Sequence, residues 1–214
     1  MPSLGRLHLI TDTRTGRDPI ATVRAALAVA GPELVVQVRV EDDATDREAY
    51  ELARRIVELC TPAGATCLVN DRLHVALAVH AAGGHVGALD LPVTAARRVL
   101  GPDALLGATA RVPATALDAV ADGASYLGVG PCYATTTKDG LPEPIGPAGV
   151  GRVATAVGVP VIAIGGVTAE RVPALLAAGA YGVAVVGAVS GAADPSRATT
   201  ELLTALGRTG APTC

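Results

Sequence analysis

With 214 residues the chain has the length of one α/β barrel and falls short of two average domains. Half of its residues are apolar, yet it has no Phe and no Trp, so its core must be packed from aliphatic side chains. A net charge of −3 without a basic run argues against nucleic acid or an anionic membrane surface as partner, and no apolar stretch is long enough to span a bilayer.

Short β-branched runs alternate with Ala/Leu-rich stretches along the whole sequence. The pattern predicts a strand at Leu7–Thr11, a helix near Ile20–Ala30, a strand at Leu34–Val40 and a helix near Asp46–Cys60. It continues with strand Cys67–Asn70, helix Arg72–His80, strand His85–Leu89 and helix Val93–Leu100. Strand Leu105–Thr109, helix Pro113–Ala121, strand Tyr126–Gly130 and helix Pro147–Val157 follow. Strand Val159–Ile164, helix Ala169–Ala178, strand Gly182–Val189 and helix Pro195–Leu206 complete the series. Alternation of this kind implies βαβ units and a parallel sheet, and eight units is the number of a closed (β/α)8 TIM barrel occupying residues 1–214 as one domain. An open doubly wound sheet is the competing architecture, but the glycine-rich turn it uses after the first strand is missing.

Met1 to Ile10 runs straight into the first strand without the layout of a signal peptide, and Cys60, Cys67, Cys132 and Cys214 show no zinc or CxxC spacing. A cytoplasmic protein with reduced thiols is expected. The segment Pro131 to Gly146 is long for an otherwise economical barrel. It carries three prolines, two glycines and the run Thr135-Thr136-Thr137-Lys138, so a mobile binding loop is expected there. Lys138 is the only lysine in a chain that otherwise uses Arg for positive charge.

In a TIM barrel the functional residues stand just past the C-terminal ends of the strands. Those positions hold Thr11, Asp12, Gln37, Arg39, Asn70, Asp71, His85, Asp90, Thr109, Arg111, Thr135, Thr136, Thr137, Lys138, Gly165, Gly166 and Gly187. Gly165-Gly166 and Gly187, after strand seven and at the end of strand eight, suit a phosphate held by backbone amides; tight turns that merely need glycine are the plainer reading. Asp71 and Asp90, at the ends of neighbouring strands, suit Mg²⁺, which takes a few carboxylates together with phosphate oxygens and water. Asp71 would equally serve as the N-cap of the following helix. No nucleophile stands beside an evident base, so the site reads as one for a metal, phosphates and cationic clamps, acting mainly by charge neutralisation.

These residues resemble those of the thiamine phosphate synthase family over nearly the full length. The resemblance is carried by Leu7-His8-Leu9-Ile10-Thr11-Asp12, Gln37-Val38-Arg39, Val69-Asn70-Asp71-Arg72, Gly84-His85-Val86-Gly87, Asp90-Leu91-Pro92, Gly128-Val129-Gly130-Pro131, Thr135-Thr136-Thr137-Lys138 and Ala163-Ile164-Gly165-Gly166. It implies a Mg²⁺-dependent transferase that joins hydroxymethylpyrimidine diphosphate to a thiazole phosphate. Asp71 and Asp90 would then hold the metal on the pyrophosphate, with Arg39, Asn70 and Lys138 around it and Thr109 near the leaving group. Gln37 and His85 would line the pyrimidine pocket, and Thr135, Thr137, Gly165, Gly166, Val186 and Gly187 the thiazole phosphate. The resemblance also implies a dissociative step, in which pyrophosphate leaves before the thiazole nitrogen attacks.

Several positions depart from the family pattern. Glu41 stands where the family has Lys, Ala88 where it has Gln, Gly187 where it has Ser, and Arg111 where it has His. In a synthase, Glu41 is expected to turn away from the pyrophosphate or to be neutralised, with Arg111 the candidate partner. A thiazole tautomerase-like relative and a non-enzymatic member that binds a phosphorylated precursor remain as alternatives. Partners are expected to be small phosphorylated molecules, with room for a homo-oligomer.

Overall fold

A computed structural model describes residues 4–137 and 140–207. Eight parallel strands close into a barrel in sequence order: β1 (Leu7–Ile10), β2 (Leu34–Val38), β3 (Thr66–Asn70), β4 (Gly83–Val86), β5 (Leu105–Ala110), β6 (Tyr126–Val129), β7 (Val161–Ile164) and β8 (Gly182–Val185). Around it lie α1 (Pro19–Ala30), α2 (Asp46–Ala63), α3 (Leu73–Ala78), α4 (Val93–Leu100), α5 (Pro113–Ala121), α6 (Gly146–Ala156), α7 (Val172–Ala177), the four-residue α8 (Gly187–Ser190) and α9 (Pro195–Ala205). The expected (β/α)8 barrel is the fold.

Two apolar layers follow from strand alternation. Leu7, Leu9, Val36, Val69, Leu106, Leu127 and Val183 point outward into the helical shell, while Ile10, Val35, Leu68, Leu105, Tyr126, Ile162 and Ala184 fill the inside. Helix boundaries obey their caps. Thr45 and Glu48 form a reciprocal capping box at α2, and the Asp18 and Asp194 side chains accept from the first turns of α1 and α9.

Three predicted elements are corrected. β4 begins two residues before His85, because Gly83 and Gly84 lie within the strand: a Cβ on Gly83 would collide with the Leu105 backbone. The helix after β7 opens as a 3-10 turn at Ala169–Arg171 and becomes α-helical only from Val172, with Pro173 in its first turn. β8 stops at Val185, and Gly187, expected inside the strand, instead opens α8. A consecutive apolar run does not by itself tell a buried strand from a short buried helix.

Candidate active site

The barrel interior beneath the mouth is partly polar. The His85 ring lies within 3.1 Å of the Tyr126 hydroxyl through Nδ1 and 3.1 Å of the Thr109 hydroxyl through Nε2. Room for these rings is made by neighbouring strands: a Cβ on Gly107 would overlap both Tyr126 and His85, and one on Gly128 would stand 3.0 Å from His85 Cε1. His8 packs edge-on to Tyr126 at 5.3 Å between centroids. Burial holds His85 down to about 4 and His8 to about 3, so both rings are neutral at pH 7. Burial likewise pushes the Tyr126 phenol up, against a hydrogen bond with Gln37. His85 therefore carries no charge at neutral pH and donates through one N–H only; with both ring nitrogens within hydrogen-bond distance of hydroxyls, it tethers Thr109 at the end of β5. Tyr126 is absent from the sequence-level candidates, although a lone aromatic inside a strand of an almost aromatic-free chain was a visible signal.

Over β2 to β4 the site is made of side chains. Asn70 ends β3 in register with His85 of β4, and the Asp71 amide donates to the His85 carbonyl at 2.9 Å. Asp71 sits in the left-handed region at φ 59, a conformation that few residues but Asn and Asp adopt readily. It does not cap α3: the cap position is Arg72, without a side-chain cap bond, so the N-cap reading of Asp71 is set aside. Asp90 folds back so that its Oδ2 accepts from the Gly87 amide at 2.7 Å. One carboxylate thus grows from the residue bonded to His85 and the other is tied to the residue two positions beyond it. Among the described residues no cluster of three or more His, Cys, Asp or Glu could hold a metal. A pair of hard oxygen ligands is nonetheless the donor set that Mg²⁺ takes when a substrate phosphate completes its shell.

Arg39 and Glu41 end the β2 side. Arg39 is bracketed by Thr11, whose hydroxyl donates to the Arg39 carbonyl at 2.6 Å and accepts from its amide at 2.8 Å. Its guanidinium meets Glu41 at 3.3 Å. The expected Glu41–Arg111 contact is not formed, since β5 lies across the mouth from β2. Arg111 donates instead to the Gly130 carbonyl at 3.1 Å and to that of Glu143, bracing the β6–α6 loop at both ends.

Over β6 to β8 the site is made mainly of backbone. Cys132 and Tyr133 continue the wall beside β7, their amides donating to the Ile164 and Gly165 carbonyls at 2.8 and 3.0 Å. Gly165 and Gly166 both have positive φ, and a Cβ on either would strike this segment, at Pro131 or at the Ala134 carbonyl. The base of the long loop is therefore bonded to the β7 end, and Cys132 within it is buried. Beyond it, the Thr135 and Thr137 hydroxyls stand 2.6 Å apart. Lys138 lies outside the described residues. Val186 is the N-cap of α8, whose first amides, at Gly187 and Ala188, have no acceptor within the helix. Loops after strands seven and eight together with a short extra helix are the usual phosphate seat of such barrels.

A sequence model of the family described as thiamine monophosphate synthase matches residues 7–189. The chain is 71% identical over 206 residues to a thiamine-phosphate synthase of Salinispora tropica, covering 96% of this chain and 99% of that one. It is 44% identical over 198 residues to one from Moorella thermoacetica, covering 92% of this chain and 93% of the relative. A solved structure described as thiamine phosphate pyrophosphorylase from Pyrococcus furiosus superposes with a TM-score of 0.85 at 34% identity, covering 96% of this chain and 97% of that one. On fold, site and likeness together, the chain belongs to the thiamine monophosphate synthase family.

Proposed function

We propose that this barrel couples hydroxymethylpyrimidine diphosphate to a thiazole phosphate, giving thiamine phosphate and pyrophosphate, with Mg²⁺ held by Asp71 and Asp90. The observation that carries this reading is the pairing, over one barrel mouth, of two carboxylates at the ends of β3 and β4 with a glycine-lined backbone seat at the ends of β7 and β8. A reaction between two phosphorylated molecules needs both seats.

The chain's own groups divide the work. Arg39, just past β2, and Asn70, at the end of β3, would bind the diphosphate, aided by Lys138. Bound there, Mg²⁺ would supply positive charge to the departing pyrophosphate oxygens. Gln37 and the His85–Tyr126 pair lie inward of this seat and would receive the pyrimidine ring, with Thr109 held by neutral His85 beside the bond that breaks. Thr135, Thr137, Gly165, Gly166, Val186 and Gly187 would seat the thiazole phosphate and so aim its ring nitrogen at the carbon losing pyrophosphate. No general base is required, because the attacking nitrogen carries a lone pair and no proton.

A tautomerase needs a proton-transferring group where Arg111 stands, and a guanidinium bound to two loop carbonyls does not provide one. The test is direct. Purified protein with both precursors and Mg²⁺ should form thiamine phosphate, and the product should vanish when the metal is chelated. Failure to form it from intact precursors would overturn the reading.

A further inference from the structure

Asp12 follows β1, and its side chain is only 1% exposed. Burying a carboxylate is costly unless its oxygens are fully engaged. Here they are. Arg14 donates a two-point fork, Nε to Oδ1 and Nη2 to Oδ2, both at 2.8 Å. Ser190 donates its hydroxyl to Oδ2 at 2.8 Å, and Arg17 Nε stands 3.5 Å from the same oxygen. The Arg14 guanidinium holds the Asp12 carboxyl down to about 2, so it is ionised at any working pH.

The groups gathered on this carboxylate come from two separate pieces of the phosphate seat. Ser190 is the last residue of α8, and Arg17 also donates to its carbonyl at 3.1 Å, so the helix end is gripped by both side chain and backbone. α8 has four residues, of which Val189 alone is buried, too little packing to set its direction unaided. Arg14 reaches the other way, from the Asp12 fork to the Thr136 carbonyl at 3.4 Å, between Thr135 and Thr137. One charge therefore ties the helix whose amides open the seat to the loop whose hydroxyls close it.

We propose that Asp12 is a positioning residue for the phosphate-bearing acceptor: through Ser190 and Arg14 it holds α8 and the Thr135–Thr137 loop in register and so sets how tightly the thiazole phosphate is captured. The proposal rests on the synthase reading for the identity of that ligand. Asp12 touches no reacting atom. Asn in its place keeps the shape but turns one oxygen acceptor into an NH₂ donor, facing either the Arg14 fork or the Ser190 hydroxyl.

The test is the steady-state kinetics of D12N, with each precursor varied in turn, alongside calorimetric binding of the thiazole phosphate alone. The expected result is a rise of tenfold or more in KM and Kd for the thiazole phosphate, with KM for the pyrimidine diphosphate within twofold of wild type. S190A and R14Q, each removing one arm, should give smaller rises of the same selectivity and serve if D12N fails to fold. Equal weakening for both substrates, or an unchanged thiazole phosphate Kd, would overturn the proposal. If wild-type protein binds the thiazole phosphate but makes no product, the synthase reading fails and the binding arm still decides the role of Asp12. If wild type does not bind it at all, this proposal fails with that reading, whereas turnover in wild type with no selectivity in the variants sinks this proposal alone.

Discussion

The two halves of the barrel mouth are built by different means. Over β6 to β8 the proposed phosphate seat is mainly backbone: left-handed glycines, an amide-lined helix start, and a loop base bonded to the β7 end, with the Thr135 and Thr137 hydroxyls at its edge and a buried carboxylate gathering the pieces. Over β2 to β4 it is side chains on strand ends, with the Glu41 carboxylate 35% exposed. A seat made of fixed dipoles serves a substrate that must be aimed. A seat made of charges serves a group that must leave. The first tolerates little change in shape and the second little change in charge, and the departures from the family pattern at Glu41 and Gly187 fall one in each half.

The sharpest way to break this comparison is to remove charge from the β2–β4 half while leaving its shape. D71N and D90N do so: Asn adopts the left-handed conformation of Asp71 readily, and its carbonyl can still accept the Gly87 amide at position 90. Each should lower the rate of thiamine phosphate formation on the order of 10²-fold or more, the scale seen when one charge-stabilising group is lost from a reacting site. Thermal stability should be nearly unchanged. If both variants keep more than a third of the activity in excess Mg²⁺, the carboxylates are not the metal seat.

Acid separates the halves in another way. Asp12 keeps its charge down to about pH 2, so the tie beneath the backbone half persists in moderate acid. His8 and His85, buried at the barrel centre, do not share that tolerance. Their folded values lie below the free value of 6.5, so the unfolded chain takes up protons that the fold refuses. Stability is thus full above about pH 6.5 and declines as pH falls toward 4, with a limiting slope of about 1.4 kcal/mol per pH unit for each ring. Urea midpoints measured from pH 7.5 to 4.5 should fall steadily, and H8N should flatten the curve. A flat wild-type curve would mean that the rings are not buried neutral.

How much of this was legible beforehand depends on whether the signal was periodic or geometric. The (β/α)8 order was readable because β-branched runs and helical stretches recur with short connections, and strand ends then located Asn70, Asp71, His85 and Gly166. The identity of α8 was not, since Val186 through Val189 reads as a continued strand until the backbone is seen to turn at Gly187. Nor was the Asp12–Arg14–Ser190 tie, whose members are 178 residues apart at the extremes and meet only because β1 and β8 close the barrel. The partner of Glu41 was also missed: it is Arg39, two residues away on the same strand end, and not Arg111 across the mouth.

That ion pair offers a smaller perturbation of the charged half. Glu41 neutralises Arg39 at 3.3 Å, at the expense of a cation that the leaving group would otherwise meet alone. E41K frees Arg39 and adds a second positive charge. One unit charge at about 6 Å and an effective dielectric near 20 is worth about 3 kcal/mol, and water at this half-open mouth reduces it, so a gain of about tenfold in pyrophosphate affinity is expected. R111A should leave pyrophosphate binding alone and instead weaken the thiazole phosphate, because its guanidinium braces the β6–α6 loop. Calorimetry with each ligand checks both. An unchanged pyrophosphate Kd in E41K would place the leaving group away from Arg39.

The gentlest perturbation belongs to the backbone half. A Cβ at Gly187 meets nothing within 4 Å, and its φ is outside the left-handed region, so G187S restores the family's serine without strain. Serine also favours a helix over glycine by about half a kcal/mol, so the variant should be at least as stable as wild type. Its hydroxyl would stand at the first turn of α8, beside amides that already favour an anion, and add one donor to a seat that has several. A neutral hydrogen bond of this kind contributes about 1 kcal/mol, which at a partly hydrated seat corresponds to a two- to fivefold lower KM for the thiazole phosphate. The maximal rate should not move, because the seat aims the acceptor and takes no part in the departure of pyrophosphate. Should G187S instead lower the maximal rate while leaving that KM untouched, the start of α8 would belong to the leaving-group side, and the division of the mouth into a seat of dipoles and a seat of charges would not hold.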